Sequence, residues 1–228
     1  QGMLSGVDAS PQAGDLNVTW GNGKADIVVG AGQEFVADLN DLDLALLGPL
    51  QGTVSGRLAT KLDGEPIETT TALLQIEQFV TETLSAKQLR VGKRAGWDFD
   101  LAADDLQVSG AQFRRFAMKV SGTQNQHRAQ IKADESRGDI ELAVTGGWDP
   151  SKAAWTGLID TIDLKPVRGA SWSLMDSAAL QVSASDLSLG STCLQAATAR
   201  ACVGLSRVPA TSTLRIDIEA LPLADIQA

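Results

Sequence analysis

Residues 122–164 read GTQNQHRAQIKADESRGDIELAVTGGWDPSKAAWTGLIDTIDL, and the alternation within them decides the fold. His127, Ala129, Ile131 and Ala133 alternate with Arg128, Gln130, Lys132 and Asp134. Beyond Glu135-Ser136-Arg137-Gly138, Ile140, Leu142 and Val144 alternate with Glu141, Ala143 and Thr145. Gly146 through Ser151 reads as a second turn. Trp155 then opens a third segment, with Leu158, Ile162 and Leu164 expected on one face. A period of two bounded by Gly, Pro, Asp and Ser marks half-buried antiparallel strands, because successive side chains leave opposite sides of a sheet. One side then requires an apolar partner and the other requires water.

The same pattern extends outward in both directions. Upstream it predicts strands over 15–20, 25–30, 35–47, 54–62, 69–80, 84–91, 97–108 and 113–120. In 69–80 the apolar residues Leu73, Ile76 and Val80 also fit a helical stripe, but the threonine run favours a strand. Asp63-Gly64-Glu65-Pro66 is a turn by composition. Downstream, strands are predicted over 172–175 and 179–189 and on both sides of the cysteines. In the last strand Leu214, Ile216 and Ile218 alternate with Arg215, Asp217 and Glu219. Between Leu180, Val182, Ala184 and Leu187, Leu189 the apolar parity slips, which reads as a bulge or bend. Several strands end on a Leu-x-Leu unit, among them Leu42-Asp43-Leu44 and Leu221-Pro222-Leu223. Residues 1–14, rich in Gly, Ser, Pro and Gln, read as a flexible leader, and 15–228 as a single elongated β domain.

Composition narrows the function. The chain has 228 residues, a formal net charge of −9 and a pI near 4.6. That balance is the reverse of a nucleic-acid binder's, so no nucleic-acid partner is expected. Arg114-Arg115, a short basic run, reads as a solvated strand face. No apolar run is long enough for a membrane-spanning helix. The opening Gln1-Gly2-Met3 reads as the start of a processed or internal piece. Cys193 and Cys202, with eight residues between them, suit a disulfide in an oxidising compartment, the alternative being two buried thiols.

The residues that would carry chemistry are few. Gly30-Ala31-Gly32-Gln33-Glu34-Phe35 imitates a dinucleotide-binding turn, but Phe35 replaces the third glycine and the sequence beyond is strand-like, so no helix N-terminus would meet a pyrophosphate. His127 is the only histidine, and no nucleophile or ligand signature accompanies it. The pairs Asp41/Asp43, Asp98/Asp100 and Asp104/Asp105 lack the glycine-hinged loop that calcium needs and read as edge charges. Asn17-Val18-Thr19 is a formal glycosylation sequon, and Trp20, Trp97, Trp148, Trp155 and Trp172 read as packing residues near turns. No catalytic residue, metal site or cofactor is expected, and the chain is not expected to be an enzyme.

No confident helix is legible, so many strands, each with one apolar face, must cover that face without helices. A sandwich, a closed barrel, or one strongly curled sheet holding something apolar would each do so. From Trp97 to Gln227 the chain resembles the TamB family, whose prototype is the large subunit of the bacterial translocation and assembly module. The resemblance rests on Gly122 followed by His127, then Gly146-Gly147-Trp148, then Trp155-x-Gly157-x-Ile159-x-x-Ile162-x-Leu164. It continues through Trp172-x-Leu174, the Cys193-Leu194 and Cys202 pair, and Leu221-Pro222-Leu223-Ala224-Asp225-Ile226.

The resemblance implies an all-β fold of the AsmA-like, bridge-type lipid-transfer kind: an elongated, strongly curled antiparallel or mixed sheet (a β-taco) with an apolar groove. It implies the periplasmic portion of an inner-membrane-anchored protein of a Gram-negative bacterium, working with an Omp85-class, TamA-like outer-membrane partner. Its clients would be phospholipids, outer-membrane proteins, or both. On that reading the groove is lined by Phe116, Met118, Val120, Ile131, Leu142, Val144, Leu158, Ile162, Leu180, Val182, Leu214, Ile216 and Ile218. The rival reading is a self-contained envelope β-sandwich with a structural or adhesive role.

Overall fold

The computed structural model describes residues 14–20, 22–30, 34–61, 69–209 and 211–220. The turn expected at Asp63–Pro66, residues 1–13 of the leader and the terminal Leu221-Pro222-Leu223 lie outside these residues, and Gly14, the last residue of the expected leader, opens the first strand. The chain divides into two compact units, Gln1–Gln112 and Phe113–Ala228.

The first unit holds β1 (Gly14–Trp20), β2 (Gly23–Val29), β3 (Glu34–Asp43), a 3-10 turn at Leu44–Leu47, β4 (Gln51–Lys61), β5 (Thr71–Val80), β6 (Leu84–Arg94) and β7 (Asp98–Val108). Each strand pairs antiparallel with the next in the chain. Register puts apolar residues opposite one another along whole rows. One row runs Val18, Ala25, Leu39, Gly56, Leu74, Val91, Leu101. The opposite face carries cross-strand ion pairs such as Arg57–Asp38 and Arg90–Asp104. The strand expected over 35–47 stops at Asp43. There the Asp43 carboxylate accepts from the Ala45 backbone N–H at 2.9 Å and caps the 3-10 turn. The strand expected over 69–80 forms as β5.

The second unit holds β8 (Ala111–Gly122), β9 (His127–Glu135), β10 (Gly138–Asp149), β11 (Ala154–Pro166), β12 (Trp172–Leu174), β13 (Ala178–Ser183), β14 (Leu187–Ala196), β15 (Ala199–Val208) and β16 (Thr211–Glu219). All its pairings are antiparallel. The two halves of the long β11 take β13 and β12 as separate partners, and both of these then pair with β14. Gly146-Gly147 is not part of a turn: β10 continues through both glycines, and the reversal is confined to Pro150–Ala153. The segment expected as one bulged strand over 179–189 is two strands. Between them Ser183 Oγ accepts from the Asp186 N–H at 2.9 Å and Ser183 N–H donates to the Asp186 carbonyl at 2.8 Å.

The fold is therefore all-β, and within each unit the strands build one antiparallel sheet rather than two facing ones. Burial agrees with a single layer. The buried apolar side chains are chiefly alanines, from Ala25 to Ala199, joined by Leu44, Val54, Leu106 and Ile159. A packed two-layer core would instead bury its largest side chains. Among the described residues no helix is long and apolar enough to cross a membrane.

Candidate functional site: an apolar sheet face

The second unit presents a continuous apolar face. Directly paired residues of an antiparallel ladder share a face, so register assigns each side chain. Phe116, Ala133, Ile140, Leu164 and Trp172 form one row; Met118, Ile131, Leu142 and Ile162 form the next. Val120, Ala129, Val144, Ile159 and Ala178 form a third. Farther along, Leu180, Leu189, Leu205 and Leu214 align, as do Thr192, Val203 and Ile216, and Leu174, Leu194, Ala201 and Ile218. Val182 pairs with Leu187 on the same side.

The lining residues expected from sequence thus come together on this face, with one exception. Leu158 pairs with Thr145 and Ala179, on the polar face. The cause is a bulge. Val144 pairs with Ile159 whereas Ala143 pairs with Thr161, so Asp160 is an extra residue and parity inverts across it. Ile159 takes the place expected for Leu158, and it is 7% exposed against 44% for Leu158. Leu164, Trp172, Leu174, Leu189, Leu194, Val203 and Leu205 belong to the face too; Leu164 shares strand parity with Ile162, whereas the others lie in β12, β14 and β15, from which no lining residue was expected, and only their partners reveal their side.

On β16 the large side chains of this face are not covered. Leu214, Ile216 and Ile218 of β16 are 60%, 59% and 56% exposed. The other face is hydrophilic. Arg114 and Arg115 both bind Asp134, whose carboxyl is held below its ordinary range first by the Arg115 guanidinium and then by Arg114. Lys132 pairs with Glu141 at 3.0 Å and Arg215 with Asp217 at 2.8 Å. Cys193 and Cys202 stand opposite each other in the β14–β15 ladder, joined as a disulfide, on this polar side.

One edge of the face is closed by a compact polar knot. His127, Gly146 and Gly157 follow one another by register, and Trp155 lies two residues before Gly157 on the same side of β11. A Cβ on Gly146 or Gly157 would lie 2.5 or 2.6 Å from the Trp155 ring, so only glycine lets the indole lie flat across the strands. The indole N–H donates to His127 Nε2 at 2.8 Å. His127 Nδ1 faces the carbonyls of Thr123 and Gln124 at 3.1 and 3.2 Å. Trp148 N–H donates to the Gln124 carbonyl at 2.9 Å, which lays the β8–β9 loop against Gly147. The histidine singled out by sequence is thus a hydrogen-bonded packing element. Among the described residues no group of three or more His, Cys, Asp or Glu side chains is placed to hold a metal ion. The carboxylate pairs serve locally: Asp98 and Asp100 meet Arg94, Asp104 meets Arg90, and Asp41 accepts from Ser55.

Of the residues carrying the family resemblance, those from Gly122 to Cys202 build this knot and the strands beside it, and 221–226 lie outside the described residues. The family model described as TamB, N-terminal domain matches residues 74–228, about two thirds of the chain. No curated protein and no solved structure shows significant similarity to it. The match spans most of the described strands and all of the apolar rows of the second unit, and by it this chain belongs to the TamB family of periplasmic envelope-assembly proteins.

Proposed function

We propose that the apolar face of the second unit shelters greasy cargo on its way between the inner and outer membranes. The cargo is phospholipid acyl chains, apolar strands of outer-membrane proteins, or both. The single observation that carries this reading is a sheet face that is apolar in every strand from β8 to β16 and leaves Val182, Leu214, Ile216 and Ile218 exposed. Fully burying a Leu or Ile is worth roughly 1.5–3 kcal/mol, so covering the exposed halves of Leu214, Ile216 and Ile218 would contribute about 1 kcal/mol each. The ionic opposite face keeps such a sheet in water while the apolar one is occupied. Family membership further supports a TamA-like partner at the outer membrane and an inner-membrane anchor elsewhere in the parent protein. The unit then acts as a binding surface without catalysis, with His127 kept as a structural residue.

Site-specific photo-crosslinking tests this. A photoreactive residue at Ile216 should capture phospholipid or outer-membrane protein in intact cells, and one at Arg215, on the other face of β16, should capture neither. The mass of the adduct separates the two cargoes. Equal capture at both positions, or none at Ile216, overturns the reading.

A further inference from the structure

The disulfide is asymmetric in its surroundings. Arg200 Nη2 lies 3.5 Å from Cys193 Sγ, and Ser191 Oγ lies 3.8 Å from the same atom. Among the described residues no donor is placed on Cys202 Sγ. Cys202 instead lines a cleft of about 510 Å³ on the polar face, together with Ser191, Arg200, Gly204, Arg215, Asp217 and Glu219, and Cys193 is not part of that lining. The carboxylates beside the cleft are held by partners: Asp217 by Arg215 Nε at 2.8 Å, and Glu219 by Arg200 Nη1 at 4.0 Å. Two arginines thus balance two carboxylates where an anionic sulfur nucleophile would enter.

Exchange at a disulfide is governed by which sulfur is reachable and which leaves more readily as a thiolate. Both cysteines are part-buried, and the cleft presents Cys202 to an incoming thiolate. A neighbouring guanidinium lowers a thiol's pKa, so Arg200 favours departure of Cys193. Both preferences select the same direction. We propose that Cys193–Cys202 is a thiol–disulfide exchange site for a thioredoxin-like dithiol protein of the envelope, attacked at Cys202 with Cys193 leaving.

The step balances with that dithiol as reductant. Its thiolate bonds to Cys202 Sγ; the Cys193–Cys202 bond breaks and its electron pair departs on Cys193, which Arg200 and Ser191 stabilise. The reductant's second thiolate then attacks its own sulfur in the mixed disulfide and releases Cys202, which takes a proton from water. Two electrons pass to the chain and the reductant ends oxidised. The reverse sequence installs the bond. The bond ties β14 to β15 just beyond the register shift between Leu189 and Thr192. Exchange there therefore loosens or fixes the rows that end in Ile216 and Ile218.

The test uses the folded, oxidised chain and a thioredoxin whose second active-site cysteine is serine, which stalls at the mixed disulfide. Peptide mass spectrometry should find the adduct on Cys202 and not on Cys193. With dithiothreitol under native conditions, Arg200→Gln should slow reduction roughly three- to tenfold while circular dichroism stays unchanged. An adduct on Cys193, equal adducts on both, or no adduct without denaturant overturns the proposal. The trapping needs no variant, so a misfolded Arg200→Gln protein leaves it decisive.

Discussion

Trp155 Nε1 donates to His127 Nε2 at 2.8 Å while the same indole spans Gly146 and Gly157, and this contact joins β9 to β11 across β10. The bond requires His127 to accept at Nε2 and to carry its proton at Nδ1, where the Thr123 and Gln124 carbonyls receive it. Trp155→Phe keeps most of the ring area and removes the donor. It should cost about 1 kcal/mol. Trp155→Ala also bares the glycine pair and should cost about 2 kcal/mol or more, the ring being only partly buried. Urea unfolding of the two variants checks both values, and an unchanged midpoint for Trp155→Ala would remove the knot from the account.

Gly147 meets the β8–β9 loop so closely that an added Cβ would lie 1.9 Å from the Asn125 carbonyl oxygen. Backbone cannot yield as a flexible side chain does. Gly147→Ala should therefore destabilise by roughly 1–3 kcal/mol. At Gly190 the nearest atom to an added Cβ is 3.4 Å away, an ordinary contact. Gly190→Ala should shift stability by no more than about 0.5 kcal/mol. Matched denaturation curves for the pair measure the difference, and equal losses would show that the loop does not rest on Gly147.

Asp149 organises the turn between β10 and β11. Its carboxylate accepts from the Ser151 hydroxyl at 2.6 Å and from the Ser151 N–H at 3.0 Å, and Lys152 Nζ stands 3.1 Å away. The Ser151 hydroxyl first, and Lys152 after it, lower its pKa from 3.8 to about 2. A lowered folded-state value means the group stabilises the fold above the unfolded value. That contribution fades as pH falls from near 4 through 2. Carbon-detected NMR titration should place the Asp149 midpoint near 2, and Ser151→Ala should raise it toward 3.8. A wild-type midpoint at the ordinary value would show the turn to be open in solution.

Strand existence and facing were legible because alternation survives without tertiary information: Ile131 with Leu142, or Leu214 with Ile216, follow from parity alone. Local irregularities were not. The extra residue at Asp160 reads as ordinary alternation from Leu158 to Ile162, and only the partner strands reveal the inversion that puts Leu158 on the polar face. Gly146-Gly147 has turn composition, yet its glycines serve close approach of an indole and a loop. Leu44–Leu47 has strand composition and becomes a 3-10 turn through the Asp43 cap. Each miss arises where side-chain or cross-strand contact overrides a local pattern. The knot's residues were visible as a motif, but their physical role required the geometry of His127 against Trp155.

The most direct test of the apolar face is native mass spectrometry of the gently purified chain beside Leu142→Glu, Ile216→Glu and Leu158→Glu. A carboxylate on the binding face must lose its hydration when cargo covers it, at a cost equal to at least roughly tenfold in affinity. Phospholipid should remain with the wild type and with Leu158→Glu, and should fall away from Leu142→Glu and Ile216→Glu while all four keep the same β-sheet circular dichroism. A wild-type chain that carries neither phospholipid nor an outer-membrane protein segment, or equal loss from Leu158→Glu, would contradict the assignment of this face as the one that holds cargo.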